Sequence, residues 1–171
     1  MADLNEIYNT RIIELAADIP RTDRLTSPDA TATAHSKLCG STVTVDLVFD
    51  GDRVADYGQT VKACLLGQSS ASVVGREIIG TTRDELRQVA ERMRDMLKAD
   101  GAGPEGRWAD LRVLEPVKAY RARHASTLLV FDAVEKAFAE RDAQVPAPNQ
   151  TNHDQTSHPE TSHAPAAAIA G

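Results

Sequence analysis

Apolar and polar residues alternate in one central stretch of the chain. The odd-numbered positions from Val43 to Phe49 are apolar, and most of the even-numbered positions between them are polar. A period of two indicates a half-buried β-strand. The Asp-Gly-Asp sequence at 50–52 is typical of a hairpin turn. The pattern therefore predicts a strand that turns at 50–52 and returns over 53–61 as its antiparallel neighbour.

In other stretches apolar residues recur every three or four positions, which indicates amphipathic helices. A helix is predicted over 3–19, ending before Pro20, and the segment 20–37 is predicted to be a loop. Another helix begins at the capping box formed by Thr82 and Glu85 and ends before 101–104. Further helices are predicted over 64–75, which is rich in Gly, Ser and Ala, over 124–141, and as a turn or two near 108–114.

These elements predict an α+β fold. A small antiparallel sheet, the hairpin 42–61, packs against several helices, and the domain covers residues 1–142. Residues 143–171 differ in composition, with half of the prolines of the chain and few aliphatic residues. Such a segment buries too little apolar surface to offset the entropy of ordering it, so we expect a disordered tail.

Charge and hydropathy exclude several classes of function. The 171-residue chain carries a net charge of −6, whereas binding to nucleic acid or to an acidic membrane needs a dense positive field. It has no apolar run of about 18 residues that could span a bilayer. The N-terminus has neither the basic start nor the apolar stretch of a signal peptide. We therefore expect a cytoplasmic protein that binds neither nucleic acid nor membrane.

The two cysteines carry the candidate chemistry. Cys39 precedes the first predicted strand, and Cys64 follows the second and begins the helix rich in small residues. An antiparallel hairpin brings the start of one strand next to the end of the other, so the two thiols are expected to be neighbours. A thiol at a helix N-terminus has its thiolate favoured by unpaired N–H groups. Two such thiolates could form half of a metal or cluster site, and the alternative is two ordinary buried cysteines.

His124 lies in a basic cluster with Arg121 and Arg123 at the start of the last predicted helix. It is a candidate third ligand or proton donor. The alternative is a solvated or helix-capping histidine.

Three segments together resemble the iron–sulfur cluster scaffold family that contains IscU, SufU and the N-terminal domain of NifU. They are HSKLCGSTVTVDL at 35–47, ACLLGQSSASVVG at 63–75 and ARHASTLLVFDAVEKAF at 122–138. The resemblance covers about residues 6–140, and the segment 100–120 is more similar to the SufU branch. It implies an IscU/SufU-like fold in which Cys39 and Cys64 bind iron, sulfur or zinc.

The chain departs from the family pattern at two ligand positions. Ser41 stands where the family has the Asp of Cys-Gly-Asp. The third family cysteine is replaced by Ser126 or, if the alignment is anchored on His124, by Ala125. A serine hydroxyl binds zinc or iron far more weakly than a thiolate, because it must first lose a proton at a high pKa. The resemblance thus implies Cys39 and Cys64 as metal and cluster ligands, with His124, Ser41 and Ser126 as weaker candidates.

Three functions are compatible with these residues. In the first, the protein is a scaffold or carrier that accepts sulfur from a cysteine desulfurase, binds iron as a labile [2Fe–2S] cluster and passes it to apo-proteins. In the second, it is a zinc-dependent sulfurtransferase of SufU type, with Cys39 or Cys64 as persulfide acceptor. In the third, it is a divergent member that binds partners without a cluster.

Overall fold

A computed structural model of the chain describes residues 8–145. The elements in chain order are α1 (Thr10–Ala17), β1 (Ala30–His35), β2 (Thr42–Asp50), β3 (Arg53–Lys62), α2 (Leu65–Glu77), α3 (Arg83–Lys98), a 3₁₀ segment (Gly106–Ala119) and α4 (Arg121–Gln144). The α+β class predicted from the sequence is confirmed.

The sheet is antiparallel with the strand order β1-β2-β3. Asp50 pairs with Arg53 across a turn in which Gly51 has a φ of +62°, a left-handed conformation that glycine adopts without strain. At the opposite end of the sheet, Thr42 pairs with both His35 and Lys62. The predicted hairpin is confirmed, and its open end is the place where the residues next to both cysteines meet.

The prediction of a loop over 20–37 is wrong for its last part, because Ala30–His35 forms β1. Alanine and threonine alternate in this strand, with Ala30 and Ala34 buried. Alanine is depleted in strands and contributes little apolar contrast, so the alternation was too weak to indicate a strand. β1 is important for the site because it ends immediately before the loop that carries Cys39.

Helices cover one face of the sheet and enclose the core. α4 packs across β1 and β2, and α2 packs between α1 and α4. The apolar residues that recur every three or four positions in α3 and α4 are buried: Leu86, Val89, Ala90, Met93, Met96, Leu97, Leu128, Phe131, Val134 and Phe138. The helical periodicity therefore identified this part of the core correctly.

The second face of the sheet is covered by the chain that precedes β1. Asp46, fully buried on β2, accepts hydrogen bonds from the Arg24 guanidinium at 2.5 and 2.9 Å and from the Thr31 hydroxyl at 2.6 Å. The backbone N–H of Leu25 also donates to the Asp46 carboxylate, at 3.1 Å. These polar contacts satisfy buried groups that would otherwise cost free energy, and they fix the sheet between two layers.

α2 and α4 approach each other closely at Gly67. A Cβ atom at this position would lie 2.8 Å from the carbonyl oxygen of Ser126 and 2.8 Å from the Cβ of Ala63. Only glycine fits there without movement of the backbone. The absence of a side chain at Gly67 therefore allows the first turn of α4 to pack against the first turn of α2.

α4 continues through Gln144, two residues beyond the predicted domain boundary at 142. Most of the predicted disordered tail, 146–171, lies outside the described residues.

No helix between residues 8 and 145 combines the length and apolar character needed to cross a membrane.

Candidate functional site

A tight loop between β1 and β2 positions Cys39. The Ser36 N–H donates to the Ser41 carbonyl at 2.8 Å, and the Gly40 N–H donates to the Ser36 carbonyl at 2.9 Å. Gly40 has a φ of +70°, and nothing lies within 4 Å of a Cβ placed on it. The backbone conformation, rather than lack of space, therefore favours glycine beside the thiol.

Cys39 is exposed, and two serine hydroxyls contact its sulfur. The Sγ atom lies 3.4 Å from Ser36 Oγ and 3.0 Å from Ser41 Oγ. These hydrogen bonds to Ser36 and Ser41 lower the pKa of Cys39 from 9.0 to about 7, and the positive charge of Arg123 acts in the same direction. A large fraction of this thiol is therefore thiolate at neutral pH, the form that attacks sulfur and binds metals.

Cys64 is the N-cap residue of α2. Its backbone is extended, with a φ of −65° and a ψ of 169°, and its carbonyl accepts the first helical hydrogen bond, from Gln68 N–H at 2.9 Å. The half-buried thiol lies 3.3 Å from the hydroxyl of Ser126 on α4. The predicted position of a thiol at the start of the helix rich in small residues is confirmed.

Both cysteines line one open depression of about 420 Å³, which we call the cysteine depression. Its lining residues are Cys39, Gly40, Ser41, Lys62, Ala63, Cys64, Gln68 and Arg123. Two of these residues are cationic, and none is an aspartate or a glutamate. The antiparallel hairpin has brought together thiols 25 positions apart, as the sequence indicated.

Ser126, rather than Ala125, faces Cys64. The Ser126 side chain is 1% exposed, and its hydroxyl donates to the carbonyl of Arg123 at 3.1 Å. Ala125 instead lines a different depression, of about 710 Å³, together with Lys118 and Arg121. Of the two alignments that the sequence left open, the one that puts Ser126 at the third ligand position matches this geometry.

His124 lines the depression that contains Ala125 and is absent from the lining of the cysteine depression. Its side chain is buried, with Nε2 3.1 Å from the carbonyl oxygen of Val117 and 3.2 Å from that of Lys118. Because carbonyl oxygens only accept hydrogen bonds, Nε2 carries the proton and donates to them. The structure therefore does not bring this histidine together with the two thiols.

The family's ligand positions place two thiols and the Ser41 hydroxyl at the cysteine depression, and the buried Ser126 hydroxyl contacts Cys64 from outside its lining. Within residues 8–145, no group of three or more His, Cys, Asp and Glu side chains is arranged to hold a metal ion. Structural zinc is held by four strong ligands, and catalytic zinc by three. Residues 8–145 by themselves therefore do not fit a resident zinc ion, and a metal bound at the two thiols needs ligands beyond those that these residues bring together.

Sequence reasoning missed two contributors to the site, Ser36 and Lys62. The Ser36 hydroxyl lies 3.4 Å from Cys39 Sγ. Ser36 follows β1 and is buried like Ala30 and Ala34, because it continues the alternation that turns every second residue of the strand toward the core. That signal could be found only after β1 had been recognised as a strand. Lys62 is the last residue of β3, at the hairpin end next to Cys64.

Two solved structures are similar to this chain over most of its length. A nitrogen-fixing NifU-like protein (N-terminal) from Brucella abortus is 51% identical, with a TM-score of 0.81, and the match covers 83% of this chain and 99% of that one. A protein from the thermophile Fervidobacterium islandicum AW-1, named as a candidate iron–sulfur cluster assembly scaffold for the SUF system, is 23% identical. Its TM-score is 0.72, and 79% of this chain and 98% of that chain are covered. The second likeness shows a shared fold. No protein-family model and no curated protein matches the chain.

Proposed function

Because this chain belongs to the NifU-like family of iron–sulfur cluster assembly scaffolds, we propose that it carries a labile cluster between Cys39 and Cys64. The observation that supports this proposal most strongly is the placement of both thiols at one open depression. The chain has no other cysteine. Thiolate is the usual ligand of iron in such clusters, and an open site allows the cluster to enter and leave.

Sulfur reaches the site from a cysteine desulfurase. The Cys39 thiolate attacks the terminal sulfur of a persulfide on the desulfurase cysteine. The new S–S bond joins that sulfur to Cys39, the old S–S bond breaks, and its electron pair leaves with the desulfurase thiolate. The exposure of Cys39 and its pKa of about 7 suit it for this attack.

Cys64 suits the second role, that of a fixed ligand. It is half-buried at the N-cap of α2, and its sulfur contacts the buried Ser126 hydroxyl on α4. With only two thiolates from the chain, a bound cluster is held weakly and is easily passed on to an apo-protein. Apo iron–sulfur proteins are therefore the expected acceptors.

A second candidate function is sulfur relay without iron, and the low pKa of the exposed Cys39 favours it. In this role Cys39 accepts the persulfide sulfur and hands it to a further thiol. The zinc-dependent form of this reaction is less well supported, because His124 lies elsewhere and Ser41 and Ser126 replace stronger ligands.

The test is an anaerobic incubation of the full chain with ferrous iron, cysteine and a cysteine desulfurase, followed by gel filtration. We expect visible absorption, with iron and acid-labile sulfide in equal amounts. A colourless protein with a persulfide on Cys39 would contradict cluster carriage and support sulfur relay. A protein with neither iron nor added sulfur would contradict both functions.

A further inference from the structure

The cysteine depression lacks half of the ligands that a cluster requires. A [2Fe–2S] cluster is usually held by four thiolates, and this chain supplies two, from Cys39 and Cys64. The neighbouring hydroxyls of Ser41 and Ser126 are poor substitutes. If the proposed function holds, any further thiolate comes from another molecule, because the chain has only two cysteines. The residues around the two thiols then determine which kind of molecule supplies it.

The charge around the thiols is positive although the whole chain is acidic. Lys62 and Arg123 are exposed and line the depression, which no carboxylate lines. Within residues 8–145 neither cation forms an ion pair, whereas Arg94, for example, binds Asp132 and Glu135. The first turn of α2, which begins at Cys64, also lacks acidic residues. Its free N–H groups add to the positive potential.

We propose that low-molecular-mass thiols bearing carboxylates complete the cluster, with their sulfurs on iron and their carboxylates paired with Lys62 and Arg123. A volume of about 420 Å³ is within the range of sites for small molecules. A second copy of this chain would supply two more thiols but would bring a second pair of cations against the first. Like charges oppose that arrangement, whereas an anionic thiol is attracted.

The ligation step involves no oxidation or reduction. Each small thiol loses its proton to solvent, and its sulfur takes the position of a solvent-derived ligand on iron. The iron and sulfide of the cluster keep their oxidation states. Departure of the small thiols on contact with an apo-protein would free the same iron positions for the acceptor's cysteines.

The experiment compares two small thiols of similar size and different charge, mercaptoacetate and mercaptoethanol. The full chain is loaded anaerobically with iron and sulfide, without cysteine or a desulfurase, over a range of concentrations of each thiol. Native mass spectrometry then counts chains, clusters and small thiols in each complex. The charge-loss variant is Lys62→Gln with Arg123→Gln. Its matched control is Arg112→Gln with Lys136→Gln, which removes one exposed Arg and one exposed Lys outside the depression.

We expect one chain, one cluster and two mercaptoacetate molecules per complex. Half-saturation should occur at a concentration about 3- to 10-fold lower for mercaptoacetate than for mercaptoethanol, the size of effect of one or two exposed ion pairs. This preference should disappear in Lys62→Gln/Arg123→Gln and persist in the control. Because the readout is a ratio between two thiols, a general effect of the variant on cluster formation cancels.

This inference would be overturned if the two thiols reached half-saturation at the same concentration. It would also be overturned if a complex of two chains and one cluster formed without added thiol. Either result would leave cluster carriage standing. Failure to bind iron and sulfide with either thiol would overturn the proposed function itself.

Discussion

At the scale of residues, serine hydroxyls contact both thiols of the site. Ser41 contacts Cys39 at 3.0 Å, and Ser126 contacts Cys64 at 3.3 Å. The hydroxyls beside Cys39 lower the pKa of its thiol and favour its thiolate, whereas the Ser126 hydroxyl donates to the Arg123 carbonyl. A serine hydroxyl adds little as a metal ligand. Under the proposed function, the serine replacements therefore favour a reactive Cys39 sulfur and an easily released cluster over tight metal binding.

Removal of the hydroxyls near Cys39 should make its thiol less acidic. In a Cys64→Ala background, where Cys39 is the only thiol, the rate of alkylation by iodoacetamide should rise as the pH increases through about 7. Below this pH the thiolate takes up a proton and the rate falls. Ser36→Ala with Ser41→Ala should raise the pKa and reduce the rate at neutral pH by about tenfold. The exposed control Ser27→Ala should leave the profile unchanged, and an unchanged profile in the double variant would contradict the role of the hydroxyls.

A third thiolate should strengthen cluster binding at position 126 but not at position 125. Ser126→Cys places a sulfur next to Cys64, so iron should be lost from the loaded protein at least about tenfold more slowly under reducing, anaerobic conditions. Ala125→Cys is the matched control, because Ala125 faces the other depression. The loss of iron can be followed with a coloured chelator. Equal retention by the two variants would show that residue 126 is not at the ligand position.

At the scale of elements, the sequence predicted the strands and helices that have strong apolar contrast and failed where the contrast is weak. The alternation from Val43 to Phe49 indicated β2 correctly, whereas alternating alanine and threonine in Ala30–His35 did not reveal β1. The hairpin was sufficient to predict that Cys39 and Cys64 are neighbours.

The positions of His124 and Ser126 could not be predicted from periodicity. α4 is buried on most sides in its first half, where His124 and every residue from Ser126 to Phe131 are buried. No polar face therefore indicates which way each side chain points. The rotation of α4 is set by tertiary contacts, including the close approach of Gly67 to the Ser126 carbonyl.

Because of that close approach, we expect replacement of Gly67 by alanine to destabilise the protein. In an uncrowded helix, Gly→Ala is stabilising by roughly 0.5–1 kcal/mol. Gly67→Ala should instead lower the free energy of unfolding by about 1–3 kcal/mol, because its Cβ would overlap the Ser126 carbonyl oxygen and Ala63. Urea denaturation measures the change, and Gln68→Ala in the same helix should cost less than about 0.5 kcal/mol. A stabilised Gly67→Ala variant would refute the close packing of α2 on α4.

At the scale of the whole molecule, charge is distributed unevenly. The chain has a net charge of −6, yet the cysteine depression is lined by Lys62 and Arg123 and by no carboxylate. The general negative charge disfavours polyanions such as nucleic acid. The local positive charge suits a small anionic cargo, and a thiolate-ligated cluster is such a cargo.

The folded domain should keep its stability without residues 146–171. Their sequence has few aliphatic residues to bury, so a chain that ends at Val145 should have a free energy of unfolding within about 0.5 kcal/mol of the full chain. This truncation retains the ion pair between Arg83 and Asp142 and all of α4. Thermal and urea unfolding of the two chains measure the difference. A larger loss of stability would show that the terminal residues contribute to the fold.

The measurement that tests the central claim most directly is the iron and acid-labile sulfide content of Cys39→Ala and Cys64→Ala after anaerobic loading, each normalised to the wild-type chain. Circular dichroism of the same samples checks that both variants are folded. If the two thiols hold one cluster together, removal of either should reduce both iron and sulfide to near zero while the fold persists. Iron and sulfide at the wild-type level in either folded variant would show that the cluster is bound elsewhere and would contradict the account.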